Sequence, residues 1–199
     1  NRRALKATLG FASWAELKQV HGAAFVPDAA PTRMECPGTL EADGQATDVP
    51  GLALLIKTAD CQPVLLAHED GGHVAALHVG WRGNRLAFPV SGVRAFCRRF
   101  GFSARELFAV RGPSLGPDKA EFVNAAAEWP ASFLEWYNPE TRAMDLWGLT
   151  RAQLQEAGLL PERIFGIDRC TLSNPGAFFS HRGNPGSGRQ ASLIWIAKK

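Results

Sequence analysis

Residues 51–83 read GLALLIKTADCQPVLLAHEDGGHVAALHVGWRG, and this stretch decides the fold class. It contains three short, apolar and partly β-branched runs at 51–58, 63–67 and 73–80, a pattern typical of buried strands. The first two runs are separated by four residues that include Cys61, and Gly71-Gly72 precedes the third. We therefore predict three buried strands, with Cys61 at a break between two of them and His78 near the end of the third.

Helical and strand patterns interleave irregularly in the rest of the chain. We predict helices at 2–9, 84–100, 120–129 and 146–157, strands at 107–110, 163–167 and 191–197, and loops over most of 27–50 and 179–189. Residues 14–20 are interpreted as a helical turn and a strand that delivers His21 to a strand end. This irregular order favours a mixed α and β layered domain over a regular βαβ series.

Composition limits the class of protein. The chain has 199 residues, 46% of them apolar, which predicts one compact domain. A net charge of +3 is too small to indicate nucleic-acid binding. No apolar run approaches the roughly 20 residues of a bilayer-spanning helix, so no membrane partner is expected. The four cysteines form no CxxC pair and the N-terminus lacks a signal-peptide core, which favours reduced thiols in the cytoplasm.

Three residues able to bind a metal follow or end apolar runs. His21, Cys61 and His78 could converge from separate strands, and a His2Cys set is known for zinc sites that keep a fourth position open for water or substrate. Such an open position indicates catalysis. The alternative from spacing alone is that Cys61 is a small core residue and that the three never meet. His68, His73 and His181 are interpreted as ordinary loop or surface histidines.

Eight short motifs resemble one family when they are taken together and in order. They are QVHG (19–22), EADG (41–44), TADCQP (58–63), HVGWRG (78–83), GPSLG (112–116), DLW (145–147), CT (170–171) and FFSHR (178–182) with GR (188–189). The sequence resembles the purine nucleoside phosphorylase YfiH/LACC1 family, also described as polyphenol oxidase, laccase-domain or peptidoglycan editing factor-like proteins. Each motif is weak alone, but the ordered set spans nearly the whole chain.

The resemblance implies a fold, a metal and a reaction. The fold is an α+β four-layer αββα sandwich with mixed β-sheets, formed by residues 1–199 as a single domain. The metal is Zn²⁺, held by the positions that match His21, Cys61 and His78. The reaction is phosphorolysis of adenosine, inosine and methylthioadenosine, with deamination of adenosine. The implied partners are therefore a small nucleoside and phosphate, and the sequence does not indicate an oligomeric state.

Further site residues come from the matched motifs. We expect catalytic roles for Asp60, Cys61 and Arg82, and we assign to substrate binding the residues Asp145, Ser180, Arg182 and Arg189. The arginines suit phosphate, because guanidinium groups bind oxyanions through paired hydrogen bonds. Asp60 and Asp145 are candidates for proton transfer or for holding a substrate hydroxyl. Either aspartate could instead cap the backbone, and for Asp145 the helix cap is favoured.

The beginning of the sequence departs from the family pattern. Members of the family ordinarily begin with a segment that holds a Gly-Gly-Val-Ser and a Ser-Leu-Asn stretch, and this sequence starts where that segment normally ends. We therefore expect an N-terminally incomplete domain, with a sheet edge and one wall of the pocket exposed.

Three other functions remain open at this stage. A multicopper oxidase is not one of them: it needs on the order of ten histidines, because each copper takes imidazole ligands. The chain has five, which is too few. A single copper is less favoured than zinc, since Met34 and Met144 lie outside the motifs. A zinc-dependent amidohydrolase that edits a peptidoglycan precursor would use the same centre. A non-catalytic, zinc-stabilised binding module would need a fourth protein ligand, Cys170 or His181.

Overall fold

The computed structural model describes residues 2–198 of the chain. Five helices and eleven strands follow one another in the order α1 (Arg2–Leu9), β1 (Ser13–Glu16), β2 (Phe25–Val26), β3 (Gly44–Thr47), β4 (Leu52–Thr58), β5 (Gln62–His68), β6 (Val74–Val79), α2 (Trp81–Arg85), α3 (Phe88–Phe100), β7 (Leu107–Arg111), α4 (Ala125–Glu128), β8 (Tyr137–Asn138), β9 (Ala143–Met144), α5 (Leu146–Glu156), β10 (Ile164–Gly166) and β11 (Gln190–Ile194). Short 3₁₀ turns occur at Ala104–Glu106, Ala131–Trp136 and Pro161–Arg163.

Two mixed sheets form the centre of the protein. The six-stranded sheet has the order β10-β7-β5-β6-β3-β2, in which β5 pairs antiparallel with both β6 and β7. The three-stranded sheet has the order β1-β4-β11, with one parallel and one antiparallel pair. A two-stranded ribbon, β8 with β9, lies apart from both. The expected α+β class with mixed sheets and a single domain is confirmed.

The alternation of side chains along the strands explains why the two sheets pack together. In β4, Leu52, Leu54 and Ile56 belong to the apolar cluster shared with the six-stranded sheet, whereas Ala53 and Leu55 face the other side. The six-stranded sheet is apolar on both faces, because its opposite face packs against α3 and against Leu154 of α5. Burial on both faces is what makes the three runs in 51–83 almost continuously apolar.

Three layers follow from this packing: helices, the six-stranded sheet and the three-stranded sheet. On the outer face of the three-stranded sheet, Trp14 of β1 packs with Phe11 and Met34, and α1 buries none of its residues. The fourth, helical layer of the αββα sandwich therefore stays a prediction.

The predicted helix at 84–100 is interrupted in the structure. Residues 81–85 form α2, Ala87 adopts a left-handed φ of 51°, and α3 begins at Phe88 with Pro89 in its first turn. Proline fits a first turn because its missing N–H has no helical partner there. The helix then ends at Gly101, which has a φ of 78°.

Two other local predictions are wrong. The helix expected at 120–129 is reduced to Ala125–Glu128, because the N–H of Phe122 donates to the carbonyl of Arg142 and Glu121 bridges Ala143. No strand delivers His21: the residue has a φ of 60° and lies in an irregular segment after β1.

Within residues 2–198, no helix is long and apolar enough to cross a membrane. All four cysteines are free thiols.

Candidate metal centre

His21, Cys61 and His78 meet at one end of the six-stranded sheet. Each offers a ligand atom, and the three atoms lie within 4.8 Å of one another. Cys61 occupies the break between β4 and β5, and His78 is the fifth residue of β6. Because β5 and β6 pair antiparallel, the start of one strand lies beside the end of the other. The two imidazole rings are 4.9 Å apart and inclined at 75°.

Asp43 organises this group, although it is not among the residues expected at the site. Its carboxylate is fully buried and accepts a 2.7 Å hydrogen bond from Nδ1 of His78. It also accepts from the backbone N–H groups of His21 (2.9 Å), Gly22 (2.7 Å) and Val20 (3.3 Å). A carboxylate that binds one imidazole nitrogen fixes the tautomer and leaves the other nitrogen free for a metal. Asp43 therefore positions both histidines, His78 through its imidazole ring and His21 through its backbone N–H.

The one feature of the sequence that points to Asp43 is its place in the EADG motif (41–44). The motif was recognised without an assigned function, because the contact to His78 spans 35 residues and only the pairing of β3 with β6 creates it.

The electrostatics of the group favour a thiolate. Burial raises the pKa of the Cys61 thiol, but hydrogen bonds and charge from His21 and His78 outweigh this effect and lower the pKa to about 6. For His78, burial lowers the pKa, whereas Asp43 and Cys61 raise it to a net value of about 9. A thiolate is the form of cysteine that binds metal.

The backbone beside the ligands is unusual. His21 and Asp60 have φ values of 60° and 86°, in the left-handed region that non-glycine residues rarely adopt. Gly80 leaves space for the group, since a methyl group there would lie 3.0 Å from Sγ of Cys61 and 3.2 Å from Cδ2 of His21. Strained backbone of this kind is concentrated at functional sites.

The group opens into a cleft of about 840 Å³. This volume falls within the range of about 300–1,000 Å³ that is common for small-molecule sites. Five cationic side chains line the cleft against one carboxylate, that of Asp60; they are Lys18, Lys57, Arg82, Arg182 and Arg189. The lysines pair with Glu41 and Glu16. Within residues 2–198, the three arginines have no carboxylate partner within 4.0 Å, so their charge is available to an anion.

Aromatic side chains form one wall of the cleft. Trp81 and Phe122 line it with their ring centroids 5.5 Å apart, and the guanidinium of Arg82 lies 4.3 Å from the Trp81 ring centroid. Gln62 also lines the cleft and is 4% exposed, and its Oε1 has no hydrogen-bond partner among residues 2–198. An aromatic face and an unsatisfied carbonyl are suited to a heterocyclic base.

Asp60 holds the loop that carries Arg182. One carboxylate oxygen accepts from the Thr171 hydroxyl at 2.7 Å, and the other accepts from the backbone N–H of Arg182 at 2.7 Å. Asp60 and Arg182 are both among the expected site residues, and both line the cleft. Arg189 lines it too, and its guanidinium donates to the carbonyls of Ser187 and Gly188.

Two other expected site residues do not line the cleft. Asp145 caps α5, with one carboxylate oxygen accepting from the N–H of Gly148 at 2.9 Å. Ser180 is buried, and its hydroxyl oxygen accepts from the N–H of Gly183. The structure therefore shows local backbone contacts for both.

Comparison with known proteins identifies relatives over the whole chain. Residues 1–197 match the family described as "Multi-copper polyphenol oxidoreductase laccase". The chain is 37% identical to purine nucleoside phosphorylase PA4543 of Pseudomonas aeruginosa, covering 92% of this chain and 74% of the relative. It is 34% identical to purine nucleoside phosphorylase YfiH of Escherichia coli, covering 90% and 72%.

Two solved structures have the same fold as this chain. Hypothetical protein YfiH of Bacillus licheniformis superposes with a TM-score of 0.86 at 26% identity, covering 98% of this chain and 79% of that chain. YlmD of Geobacillus stearothermophilus superposes with a TM-score of 0.83 at 27% identity, covering 99% and 79%.

Proposed function

The chain belongs to the polyphenol oxidoreductase laccase family that includes YfiH, and we propose that it is a zinc-dependent purine nucleoside phosphorylase that also deaminates adenosine. Its substrates would be adenosine, inosine or methylthioadenosine together with phosphate. The observation that carries the proposal is a three-ligand His-Cys-His group that opens into a cationic cleft. Curated relatives named purine nucleoside phosphorylase support an enzyme of this class.

The donor set fits zinc. His21, Cys61 and His78 would hold the ion, with Asp43 fixing the His78 ring and Gly80 leaving room beside the sulfur. When bound, zinc would supply Lewis-acid polarisation of a substrate atom or a water molecule. A thiolate ligand also suits a reducing compartment, so we propose a cytoplasmic location.

The arginines would position the phosphate. Arg82, Arg182 and Arg189 enter the cleft without carboxylate partners among the described residues, and guanidinium groups bind oxyanions through strong, charge-assisted hydrogen bonds. Asp60 fixes the backbone of Arg182, so it would set where one of these charges lies.

Trp81, Phe122 and Gln62 would bind the purine. The rings supply a stacking surface, and the free Oε1 of Gln62 is an acceptor for an N–H of the base. Asp60 keeps lone pairs beyond the two hydrogen bonds it accepts, so it is also able to hold a ribose hydroxyl.

The alternative of a closed, structural zinc site has less support. A closed site needs Cys170 or His181 as a fourth ligand, and neither belongs to the group formed by His21, Cys61 and His78. The Cys170 sulfur instead accepts hydrogen bonds from the N–H groups of Gly116 and Ser173.

Copper chemistry is the second candidate, because the family description names it. A blue-copper site adds a weak axial methionine to His2Cys. Met34 and Met144 both pack in apolar clusters away from the cleft lining, which makes zinc the better choice.

The test is product analysis combined with metal analysis. Purified chain is incubated with adenosine and phosphate, and bases and ribose 1-phosphate are separated by chromatography. We expect turnover and bound zinc in the native chain, loss of turnover and of one zinc ion per chain in Cys61→Ser, and native turnover and zinc content in Cys36→Ser, whose thiol is exposed. Turnover that persists in Cys61→Ser would refute the proposal. If the chain released serine from a serine-containing peptidoglycan precursor faster than it turned over adenosine, the editing amidohydrolase would be favoured. Oxidation of a phenol by the copper-loaded chain would favour the oxidase.

A further inference from the structure

A second set of potential metal ligands lies at the far end of the β5–β6 hairpin. His68, Asp70 and His73 offer ligand atoms that lie within 4.8 Å of one another. His68 ends β5 and His73 precedes β6, so the group is at the opposite end of both strands from Cys61 and His78. We propose that these three residues bind a divalent transition-metal ion of the zinc type, separately from the cleft.

The spacing of the ligand atoms fits tetrahedral coordination. Ligands bound at about 2.0 Å in a tetrahedral site lie about 3.3 Å from one another. Oδ1 of Asp70 lies 2.9 Å from Nδ1 of His68 and 3.4 Å from Nδ1 of His73. An ion therefore requires only small side-chain adjustments, and the fourth position is left for water.

The arrangement around Nδ1 of His68 calls for a cation. The backbone N–H of Asp70 lies 3.3 Å from this nitrogen, so the unprotonated Nδ1 presents its single lone pair here, and a bound ion would take the place of this long hydrogen bond. The same nitrogen faces a carboxylate oxygen at 2.9 Å, and two acceptors at that distance repel each other unless a proton or a metal ion lies between them. A metal ion satisfies both histidines and the carboxylate together.

The ligands are held rigidly before any ion binds. The His68 ring stacks on Phe102 at 4.3 Å, and the His73 ring lies 4.7 Å from Phe100. Asp70 accepts a 2.6 Å hydrogen bond from the N–H of Gly72, which fixes its carboxylate in the turn. Ligands whose rotamers are locked by packing lose little entropy on binding.

Glu106 places a carboxylate near the other side of the His68 ring. Nε2 of His68 is buried and has no hydrogen-bond partner within residues 2–198, and Oε2 of Glu106 lies 3.9 Å away. With Nδ1 bound to a metal, Nε2 would carry the proton, with that carboxylate near it. A carboxylate behind a histidine ligand is the usual support of a metal site.

The experiment measures zinc per chain by equilibrium dialysis of untagged protein in a background that lacks Cys61. We expect Cys61→Ser to bind one zinc ion more than the double variant that adds His73→Gln. Zinc in excess of its dissociation constant by about a hundredfold should raise the Tm of Cys61→Ser by about 5 °C or more and leave the double variant unchanged. Cobalt should give no thiolate charge-transfer band in this background.

The matched control is Glu69→Gln, in the same turn, whose carboxylate pairs with Arg163 instead. It should keep the full zinc stoichiometry, and Asp70→Asn should lose the same ion as His73→Gln. Circular dichroism checks that each variant is folded. Equal zinc content with and without His73→Gln, or no zinc bound to Cys61→Ser, would overturn the proposal, and the site would then hold only hydrogen bonds. Because the cleft lies at the other end of the hairpin, either result is independent of the proposed phosphorylase activity.

Discussion

Replacing Asp43 with asparagine is expected to weaken zinc binding at the His21, Cys61 and His78 group while leaving the chain folded. The carboxylate accepts two N–H groups at each oxygen: His21 and His78 at Oδ1, Gly22 and Val20 at Oδ2. Asparagine keeps the shape but has one acceptor oxygen, and its NH2 group donates. In either orientation of the asparagine amide, its NH2 group therefore faces two N–H donors that a carboxylate oxygen accepted in the native chain.

The two orientations have different consequences for the centre. If the NH2 group faces His78, the ring must present a bare Nδ1 and move its proton to Nε2, the nitrogen available to the metal. If the NH2 group faces Gly22 and Val20, the segment that carries His21 loses its hydrogen bonds. Loss of such an outer partner typically costs about 10–100-fold in metal affinity, or about 1.4–2.8 kcal/mol.

The assay is competition for zinc against a chromogenic chelator, starting from metal-free protein. The control is Asp28→Asn, an exposed aspartate that pairs with Arg99, and its zinc affinity should equal that of the native chain. Near-ultraviolet circular dichroism identifies folded samples. A folded Asp43→Asn chain whose zinc dissociation constant stays within about twofold of the native value would refute the reasoning about this carboxylate.

Three further outcomes follow from the contacts described above. In metal-free protein at about pH 7, iodoacetamide should label Cys61, with a thiol pKa of about 6, well before Cys97, whose thiol pKa burial raises to about 11. The rate at Cys61 should fall as the pH drops through 6 and the thiolate is protonated; equal labelling of both peptides in mass spectrometry would contradict this. Arg189→Gln should raise the KM for phosphate about tenfold or more without changing the KM for adenosine, because one charge-assisted contact is lost; a parallel rise in both constants in steady-state kinetics would argue against a phosphate role. Leu77→Ala, in the core between β6 and α3, should lower the free energy of unfolding in urea by about 2–5 kcal/mol, whereas Leu40→Ala, at a residue 58% exposed, should change it by less than about 0.5 kcal/mol. Similar losses in the two variants would place Leu77 outside the core.

Local patterns predicted the strands and helices that bury apolar residues. The runs in 51–83 become β4, β5 and β6, and the helix at 146–157 becomes α5 almost residue for residue. The failures occur where distant contacts decide the backbone. The helix expected at 120–129 is shortened to Ala125–Glu128 because 121–122 pair with 142–143.

The candidate metal ligands could be predicted from the sequence, whereas the carboxylate that positions them could not. His21, Cys61 and His78 stand out by chemistry and motif, but Asp43 acquires its role only when β3 lies beside β6. The hairpin group at His68 and His73 was missed for another reason. Its ligands look like ordinary loop residues until the aromatic contacts and the 2.9 Å approach to Asp70 are seen. The N-terminally incomplete domain stays a prediction.

The positions of the site residues along the chain impose an order on biosynthesis. The three ligands and Asp43 lie in the first half of the sequence, on segments joined by the pairing of β3, β5 and β6. Arg182 and Arg189 follow these residues along the chain and are synthesised after them. A growing chain therefore contains the residues of the proposed metal site before it contains the arginines of the proposed phosphate site.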